Sequence, residues 1–106
     1  MSNVSAFAPQ GSTYLVDNTA RQISASGGTV GVSVRVRNLA TTNQYFTWGS
    51  DNTVTSGGAP TGGSPSANTI GMIGTSVEVF TIPFSAALWM IASSATGFEV
   101  TLGEGL

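Results

Sequence analysis

The sequence predicts an all-β chain: a single β-sandwich of about eight short strands, jelly-roll-like in arrangement. Three observations carry this expectation. From Thr29 to Arg37, Val30, Val32, Val34 and Val36 alternate with Gly31, Ser33, Arg35 and Arg37, a period of two that puts the valines on one face. Short β-branched and aromatic runs recur along the chain, separated by Gly, Asn, Asp and Ser turn signals. No apolar pattern of helical period is long enough to predict a long helix. Eight strands in two sheets is the jelly-roll arrangement, one way small all-β proteins manage exposed edges. An immunoglobulin-like sandwich is the alternative.

In chain order, Met1 to Gly11 reads as an extended arm, because Pro9 and Gly11 oppose a helix. Residues 12–106 form the sandwich domain. Thr13 to Val16 is the first strand, and Asp17-Asn18 turns the chain. Arg21 to Ser26 is the second strand, with Ile23 facing opposite to Gln22 and Ser24. Gly27-Gly28 separates it from the valine strand, whose branched Cβ atoms suit a pleated surface. Asn38 to Thr42 turns the chain into a strand over Tyr45 to Trp48, and Thr53 to Thr55 is a further short strand.

Residues 56–68, SGGAPTGGSPSAN, hold four glycines and two prolines and predict a surface loop. Ser76 to Ile82 is a strand of ambiguous facing, since Val77 and Val79 compete with Phe80 and Ile82 for the core. Such a run fits burial on both faces or a bulge near Phe80. Ala87 to Ala92 reads as a strand rather than a helix capped by Ser85, because Pro83 and Ser93-Ser94 hem it in. The last strand alternates Phe98, Val100 and Leu102 with Glu99 and Thr101.

Composition restricts the chemistry. The 106 residues include no His, no Cys and no Lys, while Gly, Ser and Thr number fourteen each. No side chain with an ordinary pKa near neutrality is present, nor any thiolate. A serine nucleophile has neither His nor Lys to activate it. Glu78 and Glu99 are the only carboxylates on predicted strands that invite comparison with a glycosidase pair, yet Glu99 lies on a polar face. Asp51 to Thr55 lacks the later acidic ligands of a calcium loop. Asn3-Val4-Ser5 matches the glycosylation sequon, but no secretory signal precedes it. No Walker A sequence and no G-x-G-x-x-G after a strand occurs. The chain is expected not to be an enzyme and to bind no cofactor and no metal.

Three arginines and a net charge of −2 argue against nucleic acid as a partner. The longest apolar stretch, Phe80 to Ala92, is broken by Pro83 and Ser85 and is shorter than the ~20 residues of a membrane helix. The opening MSNVSAFAPQ has neither a positive n-region nor an apolar run, so a soluble chain without a signal peptide is expected. With charged residues at only 8%, much of the surface is expected to be hidden in an assembly. Candidate partner contacts are Val4, Phe7 and Pro9 on the arm, Arg35 and Arg37 on the polar face of the valine strand, and Trp48 beside a turn. Trp48 and Trp89 also suggest a sugar-stacking platform, which makes a carbohydrate-binding module the alternative function.

From Thr29 to the C-terminus the chain resembles a family of small tailed-bacteriophage virion proteins. The residues that carry the likeness are VSVRVRN, QYFTWGSD, TSVEVFTIP, LWMIASSAT and GFEVTLGEGL. The family pattern is a V-x-V-x-N strand, a short aromatic strand ending in F-x-x-G, a Gly/Pro/Ser-rich loop, G-S-V-E-V-F-type and A-x-I-A-type segments, and a G-x-x-x-V-T-x-G-E-G ending. The resemblance implies a β-sandwich on the phage particle, as a head decoration or cement protein on the capsid surface. The neck and the tail fibre are the alternative positions. It implies synthesis in the host bacterial cytoplasm, with the major capsid protein and further copies of the chain, as a homodimer or homotrimer, for partners. It carries over no catalytic residues.

Overall fold

The computed structural model describes residues 8–23, 33–82 and 87–104. Among them there is no helix. Eight strands run in order: β1 (Ala8–Val16), β2 (Arg21–Gln22), β3 (Ser33–Asn38), β4 (Gln44–Gly49), β5 (Thr69–Met72), β6 (Val77–Thr81), β7 (Trp89–Ala92) and β8 (Phe98–Glu104). They form two antiparallel sheets, β1-β8-β3-β6 (sheet A) and β2-β7-β4-β5 (sheet B). First pairs with last, second with seventh, third with sixth and fourth with fifth. That is one long antiparallel ribbon folded over on itself, which is the jelly-roll order.

The alternation in β3 holds where it is described: Val34 and Val36 are fully buried, and Arg35 and Arg37 lie on the outer face. Val30 and Val32 lie outside the described residues. Paired residues in an antiparallel ladder share a face, so Val36 aligns inward with Val100, and Val100 with Tyr14. Sheet B contributes Phe46, Met72, Met90 and Ala92 to the same core. The aromatic rings bridge the sheets. Phe46 meets Phe98 of the opposite sheet edge-to-face at 5.4 Å and Phe80 at 5.7 Å. Such geometry adds about 0.5–1.5 kcal/mol per pair to simple burial.

One end of the sandwich is closed by a buried amide cluster. Asn38 points inward from sheet A and Gln44 inward from sheet B. Gln44 Nε2 donates to Asn38 Oδ1 at 2.6 Å and to the Gly97 carbonyl at 2.8 Å. Gln44 Oε1 accepts from Ser94 Oγ and from the Gly97 amide. Asn38 Nδ2 faces the carbonyls of Thr42, Met72 and Ile73, each at 3.1 Å. Three turns and the end of β5 are thereby held to two side chains. Gly97 sits there at φ 70°, and a Cβ on it would strike the Val16 carbonyl.

Some boundaries differ from the sequence expectation. β1 begins at Ala8, so the end of the expected arm pairs with β8, and the register shifts between Pro9 and Thr13. Pro9 is tolerated because β1 is an edge strand. β6 is also an edge strand, with regular pairing to β3 from Val77 to Thr81. It is therefore neither buried on both faces nor bulged at Phe80: Phe80 and Ile82 face in, while Val77 and Val79 face out. Thr53 to Thr55 is not a strand. It belongs to the loop, where the Asp51 carboxylate caps the Thr53 amide at 3.0 Å. The strand expected there is replaced by β5, whose Gly71 lies beneath the Tyr45 ring.

Candidate interaction surface

The two sheets differ in what covers their outer faces. On sheet B the covering is the chain's own Gly-rich loop. Thr47, Thr69 and Ile91 point outward there by register, yet Thr47 and Ile91 are each only 8% exposed. The loop explains this. The Gly57 amide donates to Thr47 Oγ1 at 3.1 Å, the Thr47 and Thr69 hydroxyls bond at 3.0 Å, and Ser56 Oγ donates to the Ala92 carbonyl at 3.4 Å. Gly57 approaches so closely that a Cβ would collide with the Thr69 and Thr47 hydroxyls. The loop tip is a small hairpin in which Thr61 and Ser64 bond across Gly62-Gly63.

The outer face of sheet A is open at one end only: Thr101 and Ser33, which share it by register, are 7% and 5% exposed, and the exposed side chains gather at the opposite end. In strand order β1, β8, β3, β6, one row is Leu15, Glu99, Arg37, Val77, and the next is Thr13, Thr101, Arg35, Val79. Leu15 is 57% exposed and Val77 43%. Arg37 Nη1 lies 3.9 Å from Glu99 Oε1, with both side chains open to solvent. A pair so exposed is worth little in the isolated chain. The Thr13 and Thr101 hydroxyls bond at 2.9 Å. Arg35, beside Thr101 and Val79, has no hydrogen bond or ion pair among the described residues.

A second feature is an open depression of about 320 Å³ at the end of β4, where Trp48, Asp51, Thr53, Val54 and Asn68 meet. Hydrogen bonds from the Thr53 hydroxyl and amide hold the Asp51 carboxyl below its ordinary value. These are the contacts of a local turn. No group of three metal-ligating side chains occurs among the described residues. Trp48 is half-buried, with its ring edge-to-face against Phe46 at 5.7 Å and Phe80 at 6.0 Å. Its indole belongs to the rim of the core rather than to a flat surface platform. Trp89 is half-buried on the outer face of sheet B, opposite Gly49.

The structure thus brings together only two of the six candidate contact residues. Arg35 and Arg37 share the open face of sheet A. Trp48 faces the interior from sheet B, and Pro9 pairs with Gly103 in β1. Val4 and Phe7 lie outside the described residues. Glu78 aligns with inward-facing Val36, whereas Glu99 is on the outer face. The two carboxylates therefore point to opposite sides of one sheet and do not form a pair. Leu15, Val77 and Val79 are contact candidates that sequence reasoning missed, because their facing depends on the pairing register. No helix among the described residues is long and apolar enough to cross a membrane. Comparison of the chain with family models, with curated proteins and with solved structures finds no match in any of the three.

Proposed function

We propose that this chain is a structural protein of a tailed-phage virion, attached to the outside of the capsid as a decoration or cement protein that stabilises the head. The observation that carries the reading is the asymmetry of the sandwich. One outer face is occupied by the chain's own loop, and the other presents at one end an exposed row of Leu15, Glu99, Arg37 and Val77. A flat, apolar-flanked face of this kind suits repeated contact in an ordered shell. There, many weak and equivalent contacts add through multivalency. The sequence motifs from Thr29 onward point the same way, and so does a chain with few charges to keep it dispersed.

The test uses purified chain and phage particles that lack it. Added chain is expected to saturate particles at a fixed stoichiometry and to raise the temperature at which they rupture. Equal rupture temperatures with and without bound chain, or no saturable binding, overturn the proposal.

A further inference from the structure

The open face of sheet A carries a pattern that is its own complement. The row Leu15, Glu99, Arg37, Val77 places one acid and one base between two apolar side chains. Consider a second copy turned over about a two-fold axis that lies in the interface, parallel to the strands and midway between β8 and β3. β1 of one copy then covers β6 of the other, and β8 covers β3. Leu15 meets Val77 of the second copy, and Glu99 meets Arg37 of the second copy, twice over by symmetry. The neighbouring row brings Val79 over Thr13 of the second copy, while Thr101, 7% exposed and bonded to Thr13 within its own chain, contributes no contact. An in-plane axis across the strands instead lays β3 on β3 and sets arginine against arginine, which is repulsive. Charge therefore selects the first axis.

We propose that two copies of this chain pair face to face through the outer face of sheet A. Leu15 packs on Val77 at both flanks, and Arg37 and Glu99 of the two copies form an alternating square of four charges at the centre. The interface is isologous, as a two-fold dimer requires. It stacks the two sheets in the aligned manner of sandwich layers. Closure removes Leu15 and Val77 from water and gives each charge of the exposed pair a second opposite neighbour. The proposal rests on the reading of this face as a contact surface and names what the contact is.

The experiment measures the mass of the isolated chain by sedimentation and native mass spectrometry. Wild type is expected to be dimeric. Glu99→Arg leaves four positive charges at the centre, and Arg37→Glu leaves four negative ones. Each is expected to weaken self-association about a hundredfold or more. Mixing the two variants restores opposite charges across the interface and is expected to yield a one-to-one heterodimer. Leu15→Asp, at an exposed position, is expected to give a folded monomer. A wild type that stays monomeric up to its solubility limit overturns the proposal. So does a dimer indifferent to Glu99→Arg, or a mixture that forms no heterodimer. A dimer that never joins a particle leaves this interface standing and removes the virion reading; a monomer that saturates particles does the reverse.

Discussion

Asn38 and Gln44 join the two sheets from inside the sandwich, through a 2.6 Å hydrogen bond between their side-chain amides. Both are buried, at 1% and 3% exposure. Among the described residues, no buried side-chain nitrogen or oxygen is left without a partner. The pair acts as a polar clasp at an otherwise apolar seam.

Asn38→Asp tests the clasp. The substitution turns a donor facing three carbonyls into a carboxylate oxygen, in a site that excludes water. A loss of about 3 kcal/mol or more is expected, since a buried polar group is left without its hydrogen bonds and a charge is buried unpaired. Urea unfolding followed by tryptophan fluorescence measures it. A loss within a few tenths of a kcal/mol would show that the amide cluster is incidental.

Phe46 is the hub of the aromatic group, touching Trp48, Phe80 and Phe98. Phe46→Ala is expected to cost about 3–5 kcal/mol, and Phe46→Leu distinctly less, because leucine refills part of the void. Denaturant midpoints of the two variants give the comparison.

Gly57→Val is expected to lift the Gly-rich loop from sheet B without unfolding the sandwich. The added side chain meets the Thr47 and Thr69 hydroxyls, so the loop rather than the strand must move. Faster amide exchange at Thr47 and Ile91, with β3 and β8 unchanged, is the expected signature. Uniform loss of protection would mean that the loop is integral to the fold.

Acid should loosen the first turn. Two Arg21 hydrogen bonds, at 3.0 and 3.2 Å, and the Thr19 amide hold the Asp17 carboxyl below its ordinary 3.8. A carboxylate whose folded value is depressed contributes stability that is present above the unfolded value. That contribution is lost as pH falls below 3.8 through the folded value. Asp17→Asn is expected to flatten this part of the stability–pH curve while changing little of the rest. Identical curves for wild type and variant would remove Asp17 from the account.

Much of the fold was legible because side-chain period is local. The valine alternation fixed β3 and its arginine face, and Phe98, Val100 and Leu102 fixed β8. β5 was not legible, since Thr69-Ile70-Gly71-Met72 is short and holds a glycine that a strand ordinarily avoids. That glycine makes sense only beneath Tyr45 of β4, a neighbour set by pairing. The contact face was half legible for the same reason. Arg35 and Arg37 announce themselves within one strand, but Leu15 and Val77 join them only through the register of four strands. Trp48 was half legible: its position beside a turn suggested exposure, and the structure leaves it half-buried at the open depression with its ring edge-to-face against Phe46 and Phe80.

The place of β8 between β1 and β3 has a kinetic consequence. β8 is an inner strand of its sheet, so β1 must wait until all the intervening strands have been made for the neighbour it pairs with among the described residues. Sheet A is therefore assembled after translation of Phe98–Glu104, and the nascent chain spends that interval with open β-edges that invite capture by other chains.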